Sequence, residues 1–213
     1  DISGSSGLAG LAVTFMMVGA AALTVPLSNF SLKYGRRLGL TLGWALGAIG
    51  AGLIVLATVT RSLEVALAGF ALFGSSSAAN MQSRFAAADR AEPHAVAKSI
   101  SIVVWATTVG AVAGPNLTGP GEVVARWLAL PPLAGPMVLS VVAFALAALS
   151  TWAFLRPEPL TSLTGATGPR PRLKDALAHI RGPVATAIIA VALSHSVMVG
   201  VMALTPVHMK NHD

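Results

Sequence analysis

No cysteine occurs in the chain, which excludes disulfides and thiolate metal sites. Charge is scarce as well: 10% of residues are Asp, Glu, Lys or Arg, where a water-soluble domain carries roughly 25%. Water is therefore not the principal solvent. Also missing are the constellations that carry enzyme chemistry, namely an acidic pair, a nucleophile beside a base, a glycine-rich phosphate loop or an HExxH helix. Gly74 followed by Ser75, Ser76 and Ser77 has no neighbouring His or Asp and reads as small-residue packing. His208 and His212 are too few ligands for a metal site, and no cofactor is expected. The chain opens at Asp1 rather than Met, with no short apolar stretch and cleavage site ahead of the first apolar block, so it is expected to be a fragment.

What fills the 213 residues is apolar: 54% hydrophobic, with a mean hydropathy of +0.74. The apolar residues fall in long blocks. Crossing about 30 Å of hydrocarbon at about 1.5 Å per residue takes roughly 20 predominantly apolar residues. Six segments meet that length, at 7–30, 38–59, 63–83, 99–118, 133–155 and 183–206. Only Glu64, at the start of the third, places a charge inside them. The blocks are continuous rather than alternating, which selects helices over a closed barrel. The expected fold is an all-α membrane protein, a polytopic bundle of six transmembrane helices. Five helices lie in residues 1–155, a polar linker in 156–182, and the sixth helix in 183–213.

The net charge of +6 invites a nucleic-acid reading, but its distribution has another cause. Lys33, Arg36, Arg37, Arg84, Arg90, Lys98, Arg156, Arg170, Arg172, Lys174 and Arg181 fall in connectors on one side of the membrane, whereas Arg61, Arg126 and Lys210 fall on the other. The positive-inside rule places the first group in the cytoplasm, and no basic patch is left over for nucleic acid. The linker, rich in Pro, Gly, Thr and Arg, is then cytoplasmic, with a short amphipathic helix expected near 172–180. Trp127, in the connector 120–132, suits a membrane interface.

Within the spans, Gly43, Gly47, Gly50 and Gly52 are placed for close helix packing. His195, between Ser194 and Ser196 at the midpoint of the sixth span, is the sharpest polar candidate, for substrate contact, for proton handling or for a hydrogen bond to a neighbouring helix. Asn80, Gln82 and Asn116 are candidates for interhelical hydrogen bonds. Trp105, Thr107 and Thr108, with Met16, Met17, Met198 and Met202, could line an adaptable apolar cavity or face lipid. Trp105, Thr108, His195 and Asn80 form the candidate substrate cavity.

Lys33, Tyr34, Gly35, Arg36 and Arg37, in a short turn between two spans, resemble the end of the loop pattern G-x-x-x-D-R-x-G-R-R that joins the second and third helices of the major facilitator superfamily. Ser28 stands at its first glycine, Leu32 at its acid and Lys33 at its first arginine. Gly110, Gly114, Pro115 and Gly119 resemble the fifth-helix G-x-x-x-G-P-x-x-x-G pattern of the family's drug and proton antiporters. Glycines and a proline so spaced bend a helix and let it pack closely. Residues 89–99 resemble the connector of the fourth and fifth helices. The family's fourth-helix arginine, associated with proton coupling, is absent from its expected place near Phe70. The resemblance implies a partial major facilitator fold covering the second to seventh helices. It further implies a multi-pass plasma-membrane transporter of small molecules, working by alternating access, with efflux and proton coupling as its finer expectations. A membrane-embedded enzyme using His195 and a non-transporting scaffold are the alternatives.

Overall fold

The computed structural model describes residues 6–89, 91–92, 94–156, 185–186, 189–194 and 196–197. The chain divides into two compact units, residues 1–164 and 165–213. In the first unit the described regular structure is entirely helical: α1 (Ser6–Tyr34), α2 (Arg36–Thr60), α3 (Leu63–Phe73), α4 (Ser75–Asp89), α5 (Val96–Asn116), α6 (Thr118–Trp127) and α7 (Gly135–Phe154), with a short 3-10 turn at Pro132–Ala134. In the second unit all the described residues are helical. Most of the expected sixth span, His195 with it, and the linker beyond Arg156 lie outside the described residues.

Among the described residues, Gly10–Tyr34, Arg36–Thr60, Val96–Asn116 and Gly135–Phe154 are long and apolar enough to cross a membrane. They coincide with the first, second, fourth and fifth expected spans to within a turn at nearly every end. Helix is forced on such segments because every backbone amide and carbonyl in hydrocarbon has to be paired internally.

The third expected span is divided at Gly74. The amide of Gly74 still donates to the Phe70 carbonyl at 3.1 Å, but that of Ser77 turns back to the Gly74 carbonyl, also at 3.1 Å. The tightening occurs where Gly74 meets the backbone of Met16 and Ala20 in α1, an approach that a Cβ would block. Ser62 caps α3, its hydroxyl accepting from the Val65 amide, and Glu64 sits favourably in the first turn. Beyond the break, α4 runs past the expected end at 83 to Asp89, which places Arg84 inside a helix rather than in a connector. The connector 120–132 is also corrected, since α6 continues almost directly from α5 and occupies its first half. The α5/α6 break falls at Leu117, just after Pro115 has removed a helix amide.

The core is small-residue packing around α2. Gly39, Gly43, Gly47 and Gly50 line one face, and a Cβ on each would meet Ser31, Ala79, Ser76 with Phe144, and the α3 backbone at Gly69 and Phe73, respectively. Gly52, on another face, meets nothing. Leu40, Ala79 and Ala86 form the buried cluster, closed over by Trp44 and Leu155, while Phe144 stacks obliquely against Trp44 at 5.6 Å and Phe73 at 5.3 Å. The outer faces remain apolar: Leu38, Leu42, Ile49 and Leu56 on α2, and Val142, Leu146 and Leu149 on α7, are exposed at helical spacing. Apolar stripes of that extent are the surface a bilayer covers.

Candidate functional site

The α1/α2 turn is built around Gly35, whose φ of 104° and ψ of 155° belong to a region that only glycine occupies readily. Its amide donates to the Ser31 carbonyl at 2.9 Å and its carbonyl receives the Gly39 amide at 3.1 Å, so the chain leaves one helix and enters the next without a free residue between them. The reversal aims Arg36 and Arg37 in different directions. Arg36 donates from Nε to Oδ2 of Asp89, at the end of α4, at 2.9 Å, with the two side chains only 14% and 15% exposed. Its guanidinium carbon also lies 5.8 Å from the Phe85 ring centre. Arg37 donates to the Trp152 carbonyl of α7 at 2.7 Å and stacks on the Trp152 ring at 5.3 Å, and Arg156 approaches the same ring at 5.7 Å. Lys33 lies over Tyr34 at 4.9 Å. The turn thus joins α2 to α4 and α7 at the basic end of the bundle.

Leu32 occupies the place of the acid in the loop pattern, and the arginine of the turn finds its carboxylate in Asp89 instead. Residues 89–99 resembled the family's next connector, but no spacing in the chain pairs positions 53 apart. Only helix packing brings them together.

A second polar layer lies deeper. Ser31 Oγ donates to Gln82 Oε1 at 2.7 Å between α1 and α4, and Ser75 Oγ donates to the Gly43 carbonyl at 3.0 Å between α4 and α2. Ser31 and Ser75 are fully buried, and Gln82 is 5% exposed. This gives Gln82 the interhelical role read from its type. Asn80 lies one turn before Arg84. Its Oδ1, the Nε of Arg84 and the Nε2 of Gln82 are all shielded and lack hydrogen-bond partners among the described residues. Arg84 was missed as a site residue because it was assigned to a connector, and the only signal available to find it was the length of α4.

The remaining candidates are not brought together. On α5, Trp105 is 70% exposed, Thr108 bonds back to the Val104 carbonyl at 3.2 Å, and no residue of the helix is buried. Gly110, Gly114 and Gly119 have nothing within 4 Å of a built Cβ, so the close approach read from their spacing is not made among the described residues. Asn116 Nδ2 donates to its own helix, at the Val112 carbonyl, at 2.8 Å. His195 lies outside the described residues. Trp127 is 86% exposed at the end of α6. Among the described residues no group of three or more His, Cys, Asp or Glu could hold a metal.

Helices with lipid-facing stripes, glycine-mediated contacts, and charges confined to the ends of the four long apolar segments define a multi-pass helical membrane protein. The Major Facilitator Superfamily model matches residues 1–213, and the chain belongs to that superfamily. Among its relatives in Bacillus subtilis (strain 168) is YdeG, described as an uncharacterized MFS-type transporter. It is 34% identical over 217 residues, which covers 98% of this chain and 50% of YdeG. YddS of the same organism, described in the same words, is 31% identical over 221 residues, covering 100% of this chain and 50% of YddS. The chain spans about half the length of the curated relatives it matches. No solved structure matches it.

Proposed function

We propose that the protein acts as a secondary transporter in the plasma membrane, exporting small amphipathic molecules by alternating access with protons as the coupling ion. The observation that carries this reading is a contrast within one bundle. Helices α1 to α4 and α7 are knit by backbone-close glycines and by the Arg36–Asp89 and Arg37–Trp152 contacts, whereas α5 buries no residue and is exposed from Thr108 to Asn116 among the described residues. Rocking of one half against another requires a half that moves as a body and a helix that faces the pathway. In this reading Lys33, Gly35, Arg36 and Arg37 form the cytoplasmic gating turn. Gly110, Gly114, Pro115 and Gly119 form the bending seam, and Trp105, Thr108, Asn80 and His195 border the cavity.

The test is accumulation of a fluorescent amphipathic substrate in inverted membrane vesicles containing the full-length protein. Gly114→Leu and collapse of the proton gradient each lower the initial rate at least tenfold if the reading holds. A rate indifferent to both excludes antiport through this seam.

A further inference from the structure

The Arg36–Asp89 latch leaves one cation of α4 unaccounted for. Arg84 lies about 7 Å along the helix before Asp89, at about 1.5 Å per residue, and its Nε is fully shielded without a partner among the described residues. Asn80, one turn earlier on the same flank, has a shielded and equally unpartnered Oδ1. Around the helix, at 100° per residue, this flank lies nearly opposite Gln82, which is bonded to α1. Next to it come Met81 and Phe85, both more than half exposed.

None of the described carboxylates serves Arg84. Asp89 is held by Arg36 and Glu92 lies against His94 at 3.4 Å, while Glu64 belongs to the first turn of α3 and Glu122 to the middle of α6. Shielding part of a guanidinium without an anion or a hydrogen bond is costly, and an anionic ligand seated there offsets that cost. The fit is specific. A guanidinium Nε and its neighbours take an oxyanion in a charge-assisted bond, and the Nδ2 of a carboxamide one turn away is a donor that the same ligand can accept. The exposed Met81 side chain, with the exposed part of the Phe85 ring, gives an apolar body somewhere to lie.

We propose that Arg84 and Asn80 form an oxyanion-binding site on α4 that takes the carboxylate of a small amphipathic acid. As a statement of substrate class this rests on the transporter reading above; as a binding site it does not. The site is distinct from the position near Phe70, which lies about 21 Å along the helix direction at about 1.5 Å per residue.

The test uses the full-length protein purified in detergent, with sodium benzoate as the probe and sodium chloride at equal ionic strength as the control. Benzoate raises the unfolding temperature of the wild type in a saturable way. Arg84→Gln and Asn80→Asp each weaken that response by about tenfold to a hundredfold, the range expected for loss of one charge-assisted hydrogen bond. Asn80→Asp keeps the side-chain shape and places a carboxylate one turn from Arg84, so it occupies the site without a packing defect. Absence of a wild-type response overturns the proposal, as does a response retained by either variant. A response to phosphatidylglycerol micelles but not to benzoate overturns it too, and assigns the site to lipid. Conversely, an Arg84-dependent benzoate response in a protein that moves no substrate in vesicles refutes the transporter reading and leaves the site standing.

Discussion

Removing the carboxylate of Asp89 isolates the most exacting contact in the bundle. At the observed 2.9 Å separation, and with an effective dielectric of about 20, the direct attraction between Arg36 and Asp89 is about 6 kcal/mol. Desolvation of both ions opposes it. Each side chain keeps about one-seventh of its surface in contact with solvent, so the penalty for leaving either charge alone falls below that of a fully buried ion, at about 2–4 kcal/mol. Asp89→Asn and Arg36→Gln should each lower stability by that amount. The double variant should lose less than the sum, giving a coupling energy of about 1–3 kcal/mol. The measurement is a double-mutant cycle on the full-length protein in detergent micelles, followed by tryptophan fluorescence during denaturation. A coupling energy under about 0.5 kcal/mol would place the pair among exposed ion pairs of little consequence. The account of α2 and α4 as members of one rigid body would then fail.

Further expectations follow from the glycines and the buried polar layer. Gly35→Ala should cost about 1–3 kcal/mol, and Gly35→Asn should fare no better, because a ψ of 155° lies outside the left-handed region asparagine tolerates; thermal denaturation checks both. Gly50→Ala, driven into the Phe73 and Gly69 backbone, should destabilise by about 1–3 kcal/mol. Gly52→Ala, facing open space, should be neutral or stabilising by up to about 1 kcal/mol, and equal effects at the two positions would refute the packing assignment of α2. Gln82→Met leaves Ser31 Oγ without its acceptor and should cost about 1–3 kcal/mol. Adding Ser31→Ala should restore part of that loss, and a strictly additive result would show that the two side chains do not interact.

The helices were legible because their cause is local. A segment such as 38–59 is long enough and apolar enough to cross hydrocarbon whatever surrounds it, and the observed α2 extends only slightly past both ends. The same holds for the glycines at 43, 47 and 50, whose spacing announces close packing without naming the neighbour. The break at Gly74 and the helical α6 were not legible, because each depends on another element: Gly74 tightens against α1, and α6 settles where Gly121 meets Gly135 of α7. The pattern of Gly110 and Gly114 on α5 and Gly119 on α6 was plain in the sequence, yet the described bundle supplies nothing for these glycines to pack against.

By itself, then, the sequence determined the solvent, the helical class, the basic end and the family resemblance, since these depend on transfer free energy and on patterns carried within single segments. Tertiary structure alone decided that Arg36 is answered by Asp89 and Arg37 by Trp152, that Ser31 meets Gln82, and that the Nε of Arg84 is shielded with no counter-charge among the described residues. The physical reason is distance along the chain. Each of these contacts joins residues, or leaves them unjoined, according to how helices with small-residue faces slide together, and that register is a property of facing surfaces which no single segment contains.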